Sequence, residues 1–419
     1  MKTSNFATRA ALVAFAIVPA LTACASGRPG TASGGSPAPD TATSRSATAN
    51  LPWAIKTREH VDLWLHGFAM LQDDTARVPF FRRGYRDQMV VLKNRANVTT
   101  LLDANRDRLR GRFAANRQLE QAQFLALYTA SWEELGQAVQ LFLQAEGDPS
   151  KANSQEAAVA IALFAQYFPT SPDRDWLRLF VQSLQEEKDR YYHNYWVQQQ
   201  RERGAVIATL DDLWQKTYRP KLQRFLNNTQ QSTGSFVLSL PLDGEGRTIT
   251  AGKRENIVAV TFPETASAAV EAIYVFAHET SGSLAATTVN DNTSPSDKRS
   301  GLAARLQSAA AVRTGLALLE RTAPDLADGY ARYYLRAIGQ TAGTSPRTSL
   351  ATAFPLPDTM LAAISRQLDV VLGGICRRRH RCQESLRGCP RRHSTAQRSS
   401  ACSRARPSCR GRARSRRKS

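Results

Sequence analysis

The chain has 419 residues, 42 % of them hydrophobic, with 56 Lys and Arg against 36 Asp and Glu for a net charge of +20. Such length and apolar content support a sizeable core and exclude a wholly disordered chain. The charge is concentrated at the ends: residues 376–419 carry +15 and residues 1–24 carry +2, which leaves +3 for everything between. The basic balance therefore does not describe a nucleic-acid face on the body, and no nucleic-acid partner is expected.

Residues 1–23 follow the plan of an export signal: Lys2 and Arg9, an apolar run from Ala10 to Ala23, and small residues at its end. The run has 14 residues, short of the ~20 that cross a bilayer, and no later segment is long and apolar enough. Leu21-Thr22-Ala23-Cys24 resembles a bacterial lipobox. The resemblance implies cleavage before Cys24, acylation of that cysteine, and anchoring to a membrane of the bacterial cell envelope on its periplasmic or outer-surface side. Residues 24–50 are rich in Ala, Ser, Thr, Gly and Pro without apolar periodicity, the composition of a flexible linker.

From 51 to 375 the chain contains no cysteine, so no disulfide supports the body. Residues 51–232 read as a helical region. Val61, Trp64, Leu65, Phe68 and Leu71 recur at helical spacing, and similar patterns run over 99–113, 119–143, 157–168, 176–197 and 206–225. Pro220 is expected to kink or interrupt its helix. After Gly234 the period changes to two, and β-branched residues concentrate in three short segments between 235 and 262, with Asp243-Gly244 as a turn. The fold class expected is mainly α: a multi-helix array with a small antiparallel β-sheet inserted around residues 235–262. Helices resume near Glu264 and recur over 296–321, 325–338 and 358–372, and residues 233–375 are expected to pack with the preceding region as one body.

"YVFAHETSGSL", Tyr274 to Leu284, falls in a helix just after these strands. It resembles the zincin signature, in which an uncharged lead-in precedes His-Glu-x-x-His on a helix behind a sheet. Histidines four apart share one helix face and grip zinc, while the glutamate between them activates a metal-bound water. The resemblance implies His278 as a metal ligand and Glu279 as the general base. The second ligand position is Gly282, which cannot bind a metal. His278 also follows Tyr274 by four residues and Val270 by eight, on a stripe expected to pack, so a core role is the competing reading.

In the first helix, Glu59, Asp62, His66 and Asp73 fall on one narrow polar face. If that face meets the His278 helix, His66 supplies a second ligand and Asp62 orients it; otherwise these are solvated polar residues. Tyr192, Tyr195 and Trp196 could stack on sugars, though packing is the commoner use of such rings. Arg82, Arg83 and Arg86 lie in a loop-like passage that could take an acidic ligand. No Gly-rich phosphate loop, nucleophile elbow or close cysteine pair occurs in the body.

Residues 376–419 hold five of the six cysteines, sixteen basic residues and one acid, Glu384. They lack aromatic rings for stacking on bases and close cysteine pairs for zinc. Their composition changes within an amphipathic helix instead of at a linker. A disordered tail read out of frame accounts for this best. Zinc is the cofactor weighed, the unidentified partner is expected in the envelope, and the leading reading is a non-catalytic lipoprotein whose body binds or scaffolds. The alternative is a zincin-like hydrolase or its inactive descendant.

Overall fold

The computed structural model describes residues 52–373, apart from 73–77, 117 and 252–254, and gives no side-chain placement at 251 and 255. The expected leader, Cys24, the linker and the Arg/Cys-rich tail lie outside the described residues, as does Asp73. The body is mainly helical around one small sheet, as its periodicity indicates.

A short strand, β1 (Ala54–Thr57), opens the body and leads into α1 (Glu59–Leu71), α2 (Tyr85–Arg95), α3 (Leu101–Ala115), α4 (Gln118–Gln121), α5 (Trp132–Gln144), α6 (Gln155–Ala165) and α7 (Ser171–Glu187). A π turn at Lys188–Tyr192 joins α7 to α8 (His193–Glu202); α9 (Gly204–Leu213) follows, and a second π turn at Trp214–Tyr218 leads to α10 (Arg219–Asn228). Pro220 sits in the first turn of α10, directly after that π turn. A ring that lacks an N–H and clashes with the preceding turn forces the interruption there.

The pattern over 119–143 is divided. α4 passes into a 3-10 segment, Ala122–Tyr128, before α5 begins. The cause is Ser131, whose side chain accepts the Glu134 N–H at 3.2 Å and starts a new helix. Likewise α12 (Pro295–Arg299) and α13 (Leu302–Thr322) are separated at Gly301, whose φ of +75° is a left-handed conformation that glycine adopts without strain.

Strands β2 (Thr233–Ser239), β3 (Arg247–Ala251) and β4 (Glu255–Thr261) complete a four-stranded sheet in the order β1-β2-β4-β3. This corrects the antiparallel expectation. β1 pairs with β2 and β2 with β4 in parallel; only β3 against β4 is antiparallel. The reason is burial on both faces. Phe236, Leu238, Val258 and Val260 enter one core, while Val237, Ile257 and Ala259 enter the other. Strands covered on both sides read as near-continuous apolar runs, the mark of parallel interior strands. Asp243-Gly244 thus turns the chain out to the sheet edge and does not close a β2–β3 hairpin.

The sheet is a partition. On one side α1 to α8 form a core around Trp64, Phe68, Phe180 and Leu184. On the other side lie α9 and α10 with α11 (Glu271–Asp291), α13, α14 (Ala327–Ala337), α15 (Pro346–Ala353) and α16 (Asp358–Gly373), around Trp214, Phe276, Tyr330 and Tyr334. Among the described residues no helix is long and apolar enough to cross a membrane.

Candidate functional site

Helix α11 carries the His-Glu pair because its first turns are buried on every side: Ala272 to Ala277 are 0–7 % exposed. Phe276 is its anchor. The ring stacks on Phe236 at 4.6 Å and meets Trp53 edge-on at 5.0 Å and Trp214 at 4.6 Å. Burying one such ring is worth roughly 1.5–3 kcal/mol, so α11 is held against β2 before any polar contact is counted.

His278 is 5 % exposed and its ring stacks on Tyr334, with centroids 5.4 Å apart. Its Nδ1 lies 3.0 Å from Oε1 of Glu279, and its Nε2 is buried without a hydrogen-bond partner among the described residues. The same Oε1 accepts the Gly246 N–H at 2.9 Å, at the start of β3. Gly246 must be glycine, since a Cβ there would stand 2.0 Å from the Ala259 carbonyl oxygen. Burial alone would raise the Glu279 carboxyl. The hydrogen bond and charge of His278, then Arg247 and the Gly246 N–H, outweigh it and hold the group below its usual range, ionised.

The loop between β2 and β3 is gripped from α14 as well. Tyr334 donates to the Gly244 carbonyl at 2.9 Å and Tyr333 to Asp243 Oδ1 at 3.3 Å. Burial raises both hydroxyls well above their ordinary pKa, so they act as neutral donors. Glu245, in the same loop, is raised by burial, with His278 and Arg247 opposing and Glu279 adding to the shift. The competing reading of His278 as a packed core residue fits its burial, and the free Nε2 is the one part it leaves unsatisfied.

The structure does not place His66 beside this pair. His66 is fully buried in the other core, with Nδ1 3.1 Å from the Tyr85 hydroxyl and Nε2 3.2 Å from Glu187 Oε1. Both ring nitrogens are engaged. Asp62 does not orient it either: Oδ2 accepts the Trp196 indole N–H at 2.9 Å and Oδ1 the Leu240 N–H at 3.2 Å, which ties α1 to α8 and to the end of β2. The polar face of α1 is therefore buried, not solvated. Twelve of its thirteen residues are buried, because α1 lies between the sheet and other helices.

The residues that sequence reading missed lie around His66. Glu187, fully buried at the end of α7, accepts from Lys93 Nζ at 2.7 and 3.0 Å and from Thr100 Oγ1 as well as facing His66. Burial would raise its carboxyl, but His66 and then Lys93 bring it down to about 2. Lys93, 2 % exposed, also donates to Asp103 at 2.6 Å. Nothing local marks this cluster: "QEEKD" has the look of a solvated charge run, and its partners are 87 to 121 residues away.

Arg82 is likewise an internal strut, donating to the Phe262 carbonyl at 2.9 Å and pairing with Glu264. Tyr192 is fully buried, and Tyr195 and Trp196 pack against both cores.

A catalytic zinc takes three protein ligands. Among the described residues no group of three His, Cys, Asp or Glu side chains is gathered to hold a metal ion. The donor set thus does not fit the zinc that the motif implies: His278 offers one free nitrogen, Glu279 is tied to the loop, and Gly282 offers nothing. Packing does not demand that glycine, for a Cβ on it would meet no atom within 4 Å. Comparison with protein-family models, with curated proteins and with solved structures found no match to the chain.

Proposed function

We propose that this protein is a lipid-anchored component of a bacterial cell envelope whose body is a binding or scaffolding module. The observation that carries this reading is the engagement of Glu279: one oxygen takes both the Gly246 N–H and His278, so the residue best suited to activate water is used to fix the edge of the sheet. A carboxylate held in that way stiffens a loop. The lipobox-like Leu21-Thr22-Ala23-Cys24 supports the anchor, and the Ala/Ser/Thr/Gly/Pro stretch behind it supports a tether to the body.

A second reading, a zincin-like hydrolase or its inactive descendant, draws on one specific observation, the buried and unpartnered Nε2 of His278. An inactive descendant accommodates both findings. In it the helix and the pair persist as framework while the second ligand position has become Gly282.

Labelling with radioactive palmitate in a bacterial host tests the anchor. The native chain is expected to take up label and sediment with membranes, whereas Cys24→Ser does neither. Label retained by the variant, or absent from the native chain, would overturn the reading.

A further inference from the structure

Arg313 lies on α13, in the carboxy-terminal half. It is half-buried, and burial depresses its pKa, with Glu320 the one charged neighbour that opposes the shift. No carboxylate pairs with it among the described residues. Its hydrogen bonds are two long ones from Nη1, 3.4 Å each, to the carbonyls of Ala351 and Phe354 at the end of α15. A guanidinium carries five N–H donors in a planar fork, so most of its capacity is unused. Withdrawing such a charge from water without a counter-charge is costly.

Arg313 lines a cavity of about 150 Å³ between α13, α15 and α16. Two further guanidiniums, Arg321 and Arg347, stand on its wall with a single acid, Glu320. These two already have partners. Arg321 is 3.5 Å from Asp369 and donates to Ser365 at 2.8 Å; Arg347 is 2.8 Å from Asp328 and 3.6 Å from Glu320. With Glu320, Asp328 and Asp369 counted, three acids balance the three arginines overall, but Arg313 itself has no carboxylate within ion-pair distance among the described residues. The remaining wall is largely apolar, formed by Leu316, Ala317, Leu361 and Ile364. The lining is thus divided between charged or polar and apolar groups, and at roughly 10–15 Å³ per water position the cavity has room for about ten non-hydrogen atoms.

We infer that this cavity binds a small organic monoanion, a carboxylate joined to a short apolar chain. The carboxylate meets the free side of the Arg313 fork, where a planar two-oxygen acceptor matches two parallel N–H donors. The chain lies on Leu316, Leu361 and Ile364. A doubly charged phosphate would bring a second negative charge close to Glu320 and leave the apolar wall unused. This names a ligand class for the binding module proposed above and rests on that reading, but it is decided by binding alone, independently of lipid labelling or metal content.

Calorimetric titration of the full chain with hexanoate, hexanol, hexylammonium and inorganic phosphate tests the inference. Hexanoate is expected to bind saturably with one site per chain, and the other three not to bind. Arg313→Met should weaken hexanoate by at least about tenfold. Ala317→Phe, which fills the cavity without changing charge, should abolish binding, and it serves if the arginine variant fails to fold. The inference is overturned by the absence of saturable hexanoate binding at millimolar concentration, by hexanol binding as tightly, by phosphate displacing hexanoate, or by unchanged affinity in a folded variant.

Discussion

Glu187→Gln lowers the unfolding free energy at neutral pH by about 3 kcal/mol. The carboxylate titrates near 2 in the folded chain against an ordinary 4.5, and at ~1.36 kcal/mol per pKa unit that difference amounts to about 3 kcal/mol. The physical source is Lys93, which is 2 % exposed and in the variant keeps Asp103, at the rim of the core, as its one charged partner beside the neutral Thr100 hydroxyl at 3.0 Å. A charge buried with its main partner removed costs about 3–5 kcal/mol. Because the folded pKa is depressed, the stabilisation is complete above about pH 4.5 and is lost as pH falls toward 2. Urea titrations at pH 7 and pH 3 check both parts. The native chain should lose stability between them by more than the variant does. A difference under about 1 kcal/mol at pH 7 would remove the cluster from the account of stability.

Asp62→Asn has an effect that changes sign with pH. Burial raises the Asp62 carboxyl from 3.8 to about 7, against Ser239, the Trp196 and Leu240 N–H groups and Arg203, all of which favour the ionised form. Between those values the folded chain keeps a proton that the unfolded chain has released. Stability therefore falls as pH rises through this window, by about 4 kcal/mol in all. Asparagine does not titrate and removes that slope. It also turns an NH2 group toward one of two N–H donors, a mismatch worth about 1–3 kcal/mol. The variant is thus expected to be less stable than the native chain at pH 4 and more stable at pH 8. The fluorescence of Trp196, whose indole bonds Asp62, gives an independent titration, expected to be centred near 7 and absent from the variant. The same sign of effect at both pH values would contradict this assignment.

These two carboxylates show where a local reading stops. Helical periodicity identified most of the helices, and the shift to alternation near Gly234 located three of the four strands. It could not reveal that β1, only four residues long, pairs with a strand about 180 residues away. Nor did the alternation signal carry strand direction. That lay in the continuous apolar runs of β2 and β4, which require cover on both faces.

The candidate pair was legible because His278 and Glu279 are neighbours on one helix that follows the sheet. The use made of them was not. The donor that engages Glu279 comes from Gly246, 33 residues earlier, and the ring against His278 from Tyr334, 56 residues later. The polar stripe of α1 was also real, but its meaning depended on what covers it. With the sheet and neighbouring helices around it, polar groups spaced for solvent became Asp62 and His66, each with internal partners.

The His278–Glu279 pair is proposed here as framework. Metal analysis by mass spectrometry tests it most directly, on the whole chain purified without chelator or affinity histidines, beside His278→Ala. No stoichiometric metal that depends on His278 is expected, and the variant is expected to differ by lower stability. One equivalent of zinc in the native chain that is lost in His278→Ala would contradict it, and would make the free Nε2 of His278 a ligand.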